Sequence, residues 1–317
     1  MPQSLQRIAA LSVLAAVVTI GMKSAAYLLT GSVGLLSDAL ESGVNLLAAV
    51  TAYASLSYAS RPADPSHAYG HEKIEFFSSG LEGVLVGVAG VGTAAFAVRR
   101  LIEPQPLEQL GVGMAIAVAA AGVNFAAGRA MLKAGKKYGS PVLEADGHHL
   151  MTDVWTTAAV VVGLGLVTLT GVPELDAILA IAVGLHITLI GFGLVRKSFD
   201  GLMDRALPAE ELGPLRDLIR ATLPAGTDFH LLRTRRAGRR AFLDFHVLVD
   251  GSMPVRAAHH LAHEVEVRLR TLRPDLEVST HIEPIDERSS WEAEQLANLG
   301  ECPIPVPAAP APPPIDD

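Results

Sequence analysis

The chain has 317 residues, of which 50% are hydrophobic and 18% charged, and its mean hydropathy is +0.36. A soluble globular protein carries roughly a quarter of its residues as charges, so this is the composition of a membrane protein. The net charge of -8 leaves no basic reservoir for phosphates and excludes nucleic-acid binding as a main activity, and the one cysteine, Cys302, excludes a disulfide scaffold or a thiolate cluster.

A bilayer core takes about 20 mostly apolar residues per helix. That template fits six stretches, near residues 8–30, 34–58, 77–99, 109–132, 144–170 and 175–196. The fourth is the clearest, running from Leu110 to Gly128 without a charge. The first is too long for a signal peptide and continues through Lys23 without a small-residue cleavage site, so it reads as a helix. Short-loop cations set the orientation. Arg7, then Arg61 and Lys73, then Arg129, Lys133, Lys136 and Lys137, then Arg196, Lys197 and Arg205 all fall on one side, against Arg99 and Arg100 on the other. The first side is therefore the cytoplasm, and six spans put both termini there.

After Leu207 the composition becomes that of a soluble domain. Helical periodicity marks 208–222 and 254–272, and apolar alternation marks 228–236 and 241–250 around an Ala237-Gly238 turn, with a last strand at 276–283. The α-β-β-α-β order predicts a small sheet with helices on one face, a ferredoxin-like half. The fold class is thus an α-helical integral membrane protein of six transmembrane helices with a C-terminal α+β cytoplasmic domain. The expected boundaries are 1–206 for the transmembrane domain, 207–286 for the cytoplasmic domain and 287–317 for a tail. That tail holds Pro303, Pro305, Pro307, Pro310, Pro312, Pro313 and Pro314; it cannot bury a core and is expected to be disordered.

Ionisable groups at bilayer depth cost at least ~2.5 kcal/mol each, so they need a partner or a function. Span two holds Asp38, Glu41 and Asn45, and span five holds Asp146, His149 and Asp153. In both, an Asp is followed three residues later by a ligand-type side chain and four residues after that by another. At 100° per residue all three share a helix face. Glu41 and Asn45 can then face His149 and Asp153, and this oxygen and imidazole set suits a borderline divalent ion such as Zn²⁺. The same groups also suit interhelical hydrogen bonding or a proton relay. Asp38 and Asp146 lie one turn nearer the preceding loops and read as structural partners, while His148 points about 100° away from His149. His186 in span six is alone and reads as a packed or hydrogen-bonded histidine.

These residues resemble the cation diffusion facilitator family of proton-coupled divalent-metal efflux transporters, in its bacterial zinc and iron branch. The likeness runs over roughly residues 8–285. It rests on Gly31-Ser32 through Leu36-Ser37-Asp38-Ala39 into Glu41-x-x-x-Asn45, on the loop from Arg61 to Lys73 containing Tyr69-Gly70-His71, on Ala145-Asp146-x-x-His149-x-x-x-Asp153, and on Leu202-Met203-Asp204-Arg205-Ala206-Leu207-Pro208. The resemblance implies a homodimer of six-helix protomers with ferredoxin-like cytoplasmic domains, working with divalent metal, Zn²⁺ foremost, as substrate and regulator. It implies a transport site of Glu41, Asn45, His149 and Asp153. Better-known members carry Asp or His at the first position and Asp at the second, so the chain departs at Glu41 and Asn45. A second site is implied at Asp64, His67 and His71, and a charge pair joining helices to soluble domain at Lys73 and Asp204.

Six of the eleven histidines lie in the soluble domain. His230 and His246 fall on adjacent strands, His281 and Glu283 share a strand face, and His259 and His263 share a helix face. By resemblance, His230, His246, His259, His281 and Glu283 sit at the family's cytoplasmic metal cluster, and His263 stands where some members have an acid. His260 reads as surface. The implied activity is export of Zn²⁺, or of Fe²⁺, Mn²⁺, Co²⁺ or Cd²⁺, in exchange for protons by alternating access. A membrane-anchored sensor is the alternative. An intramembrane metalloprotease would need HExxH, and His71-Glu72-Lys73-Ile74-Glu75 lacks the second histidine, so the chain is expected not to be an enzyme.

Overall fold

A computed structural model describes residues 3–30, 33–102, 112–172 and 174–291, and the chain divides into two compact units, Met1–Met203 and Asp204–Asp317. The first unit consists of six long helices: α1 (Gln3–Thr30), α2 (Val33–Ala59), α3 (Ile74–Ile102), α4 (Val112–Tyr138), α5 (Pro141–Thr170) and α6 (Glu174–Leu202). Each apolar stretch of the sequence became one helix, but α4 and α6 run beyond the apolar core into their basic ends. In α4 these residues include Lys136 and Lys137 in the last turn, where cations oppose the unpaired carbonyls. Windows of α1, α3, α4 and α6 are long and apolar enough to cross a membrane; α2 and α5 are the two that carry the polar triplets. Large side chains such as Leu47, Val88, Leu189 and Phe192 point out of the bundle, the inverse of a soluble helix protein and the arrangement a lipid solvent favours.

The helices pack in two ways. α1, α2, α4 and α5 share a core containing Ala9, Ala52, Leu56, Met131, Leu143 and Leu150. α3 and α6 form the most extensive helix pair of the unit, and they do so through glycine. A Cβ on Gly184 would stand 2.7 Å from the backbone nitrogen of Ala94, one on Gly90 would stand 2.6 Å from that of Thr188, and one on Gly191 would strike the backbone of Gly87. Backbone therefore meets backbone along this pair, the close approach that small residues allow in a membrane.

The second unit contains α7 (Ala209–Thr222), β1 (Asp228–Ala237), β2 (Arg240–Val249), α8 (Val255–Leu272) and β3 (Leu276–Pro284). Strand order is β1-β2-β3, with β1 antiparallel to β2 and β3 parallel to it. A parallel neighbour demands a crossover, which α8 supplies. Leu243, Phe245 and Val247 of β2 bury one sheet face against Leu215 and Ile219 of α7 and Val265 and Leu269 of α8. Alternation then sends His246 to the opposite face. β1 carries an irregularity between His230, which pairs with His246, and Arg233, which pairs with Asp244. One extra residue is accommodated there by Leu231 in the left-handed region, φ 49°, and the bulge leaves His230 directly across from His246. Of the tail expected from 287, residues 287–291 are described, with Ser290 buried and the Trp291 indole N–H donating to Ile285 O at 3.0 Å; residues from 292 onward lie outside the described ones.

Candidate metal centres

The first group lies inside the helical unit. Helical spacing puts His149 and Asp153 on one face of α5 and Asn45 opposite them on α2, all three buried. His149 Nε2 lies 2.6 Å from Asn45 Oδ1, and Asn45 Nδ2 donates to Asp153 Oδ2 at 2.5 Å. The amide thus links imidazole and carboxylate, one end to each. Asp153 Oδ2 accepts a further hydrogen bond, at 2.9 Å, from Asn124 Nδ2 of α4. Asn124 stands in no motif; a lone amide in an apolar span is its one signal in the sequence. Its Oδ1 and His149 Nδ1 are buried without a hydrogen-bond partner among the described residues. Glu41 belongs to α2, but its side chain, like that of Asp38, lies outside those described. Asp146, one turn before His149, is buried, and so is Glu82 of α3, which likewise stands in no motif. His186, expected to be packed or hydrogen-bonded, is exposed on α6.

The second group sits in the turn between α2 and α3. Asp64 and His67 exchange backbone hydrogen bonds at 3.3 and 3.1 Å, and Gly70, at φ 86°, closes the next turn in a conformation that favours glycine. His67 Nδ1 lies 3.4 Å and His71 Nε2 3.2 Å from the two Asp64 oxygens. Asp64 and His67 are exposed, while His71 is buried edge-on to Tyr58, with ring centroids 4.8 Å apart. The His67 backbone N–H holds the Asp64 carboxyl below its usual value; slight burial opposes this, and hydrogen bonds from Ser66 add to it. One ligand atom from each of the three residues lies within 4.8 Å of the others.

The third group lies on the sheet face away from the helices. His230 Nε2 is 2.9 Å from Glu283 Oε2, His246 Nδ1 is 3.1 Å from Oε1, and His281 Nε2 is 3.5 Å from the same Oε1. Strand register builds this arrangement, since His246 pairs with His230 on one side and His281 on the other. Burial alone would raise the Glu283 carboxyl, but hydrogen bonds from His230 and His246 outweigh it and hold the group below its usual value. Trp291 packs edge-on to His230 with centroids 5.6 Å apart. His259 and His263 stack on the exposed side of α8 with centroids 6.1 Å apart. The buried side of α8 covers the other face of the sheet, so a single chain does not bring them to this group. Asp204 lies 3.6 Å from Arg235 within the second unit, whereas Lys73 belongs to the first.

A polar site buried among membrane-length helices, joined in sequence to a histidine-bearing α+β unit, is the layout of a metal exporter. The family model for the cation efflux transmembrane domain matches residues 9–203, and that for the cation efflux protein cytoplasmic domain matches 207–285. The chain belongs to the cation efflux, or cation diffusion facilitator, family, which comprises transporters rather than enzymes. It is 44% identical over 284 residues to an uncharacterized transporter of Synechocystis, sll1263, covering 90% of this chain and 92% of that one. It is 30% identical over 263 residues to the cation-efflux pump FieF of Serratia proteamaculans, covering 83% and 87%. Among solved structures, the metal-bound C-terminal domain of the CzcD transporter from Thermotoga maritima matches with 31% identity, covering 26% of this chain and 99% of that one, at a TM-score of 0.23.

Proposed function

We propose that this cation efflux transporter exports a divalent transition metal, Zn²⁺ first among the candidates and Fe²⁺, Mn²⁺, Co²⁺ or Cd²⁺ after it, in exchange for protons across a bacterial-type inner membrane. The observation that carries the reading is the buried His149–Asn45–Asp153 chain, which spans two helices with a neutral amide between an imidazole and a carboxylate. With Glu41 these are the four donors of the proposed transport site. Metal requires the lone pairs of a neutral imidazole and ionised carboxylates, and protons compete for the same lone pairs. Facing the cytoplasm near neutral pH, the site loads metal. Facing a more acidic exterior, it takes up protons and lets the metal go, because that competition moves toward the proton as pH falls. Relative movement of α2 and α5 with their neighbours supplies alternating access.

Asp64, His67 and His71 form a proposed boundary site, and His230, His246, His281 and Glu283 a proposed regulatory site in a homodimer. His259 and His263 join the latter only as ligands reaching across from a second protomer. Lys73 and Asp204 are retained as the proposed charge pair between helices and soluble unit. The regulatory site biases transport if it binds more tightly when the soluble domains are held together. Metal flux into sealed vesicles with an imposed pH gradient, compared between wild type and Asp153→Ala, tests the whole reading. Flux at the wild-type rate in the variant would remove the transport site from these residues, and absence of flux in wild type would leave a binding protein.

A further inference from the structure

We propose that Asn124, on α4, is an additional oxygen ligand of the transport site and the residue that opens it to ions preferring more than four donors. This rests on the transport-site reading above and adds a residue and a helix that no sequence motif contributes.

Asn124 is 1% exposed, and its two polar atoms are treated unequally. Nδ2 donates to Asp153 Oδ2 at 2.9 Å, while Oδ1 has no hydrogen-bond partner among the described residues. A buried acceptor left without a partner is destabilising, so a residue kept only to steady Asp153 would carry half of its amide at a loss. A hydroxyl there could donate the same hydrogen bond without leaving a carbonyl oxygen stranded. The amide has one property a hydroxyl lacks, since rotation about Cβ–Cγ exchanges donor for acceptor at nearly the same point in space.

That exchange has a geometric consequence. After rotation, an oxygen stands about where Nδ2 stands, 2.9 Å from Asp153 Oδ2. Two oxygens about 3 Å apart define one edge of an octahedron whose metal–oxygen bonds are ~2.1 Å. The same side chain can therefore hold Asp153 by an N–H donor or, after rotation, present an oxygen to an ion. Asn45 has the same capacity, with Oδ1 toward His149 and Nδ2 toward Asp153. Two amides, one on α2 and one on α4, thus flank a single carboxylate.

The ion that gains most follows from coordination preference. Zn²⁺ is satisfied by four ligands in a tetrahedron, which Glu41, Asn45, His149 and Asp153 already number. Mn²⁺ favours an octahedral, oxygen-rich shell. The fifth donor therefore matters little to Zn²⁺ and much to Mn²⁺.

The test uses full-length protein in proteoliposomes with Zn²⁺ and Mn²⁺ as alternative substrates, and compares wild type, Asn124→Leu and Asn124→Asp. Leucine keeps the forked arrangement of heavy atoms and removes both polar atoms, whereas aspartate keeps the oxygen and loses the donor. In Asn124→Leu the KM for Mn²⁺ should rise about tenfold or more while that for Zn²⁺ stays within about threefold. In Asn124→Asp, Mn²⁺ transport should be retained or its KM lowered. Equal loss of both metals in the two variants would overturn the proposal and leave Asn124 as a donor that positions Asp153. Unchanged selectivity in Asn124→Leu would overturn it as well. Asp153→Ala in the same vesicles separates this outcome from failure of the transport-site reading, because transport surviving in that variant would move the site away from all of these residues. Gel filtration and thermal melting of each purified variant confirm that lost flux is not lost protein, and Asn124→Asp alone decides the matter if the leucine variant does not fold.

Discussion

The buried group on α2, α4 and α5 and the histidine group on the sheet use similar ligands in opposite mechanical settings. Asn45, Asn124, His149 and Asp153 come from three separate helices, all nearly free of solvent, and their polar atoms chiefly satisfy one another. His230, His246, His281 and Glu283 come from three adjacent strands locked by register, and His281 stands 66% exposed. A ladder of backbone hydrogen bonds cannot easily change the spacing of its ligands, so the sheet group suits an ion that is held and sensed. Helices joined mainly by side chains can slide or tilt, so the buried group suits an ion that must be released. Under the proposed roles, ligand type alone does not separate a transport site from a regulatory one; the stiffness of the elements bearing the ligands does.

The sharpest way to break that comparison is a pair of complementary variants. His149→Ala should abolish metal flux while leaving metal binding at the sheet group intact. That binding can be followed through emission of Trp291, which abuts His230, in a Trp155→Phe background that leaves one tryptophan of the two. Conversely, His246→Ala combined with His281→Ala should weaken the Trp291-reported Zn²⁺ affinity roughly 100-fold or more, because two ligand bonds are lost, and should slow flux without ending it. Flux persisting in the first variant, or ending in the second, would reverse the roles assigned to the two groups.

A smaller effect is expected from Asn45→Asp. It removes the donor to Asp153 and sets two carboxylates where amide and carboxylate now meet at 2.5 Å. Carboxylates that close tend to share a proton. Equilibrium metal binding should therefore tighten roughly tenfold near pH 8 and fall more steeply toward pH 6 than in wild type, with the larger gain for Mn²⁺ and Fe²⁺. Identical slopes would mean that Asn45 does not touch the ion.

The smallest effect concerns the bulge in β1. Leu231 holds a left-handed backbone, φ 49°, which costs a non-glycine residue about 1 kcal/mol. Leu231→Gly should leave Zn²⁺ affinity nearly unchanged and alter the thermal midpoint of the soluble unit only slightly. Leu231→Val, β-branched and worse in that region, should lower both. If valine is tolerated with full affinity, the bulge does not set the position of His230.

The helices were legible because a bilayer imposes one simple requirement on each span, and the strands because apolar alternation survives in Phe245, Val247 and Val249. The periodicity of two also placed His281 with Glu283. What stayed hidden depends on packing between elements distant in sequence. Asn124 is an unremarkable amide until α4 is laid against α5. His259 and His263 have the right spacing and the right chemistry, yet which sheet face α8 covers is decided by Ala258, Val265 and Leu269 against β2, a choice no local pattern announces.

The glycines shared by α3 and α6 have a genetic consequence. Where backbone meets backbone, any added carbon must force the helix axes apart, and this holds at Gly83, Gly90, Gly184 and Gly191 but not at Gly92 or Gly193, where nothing lies within 4 Å of a new Cβ. In a saturation-mutagenesis survey scored by metal tolerance of the host cells, alanine should thus be lethal to function at the first four positions and silent at the last two, although all six are the same amino acid in the same two helices.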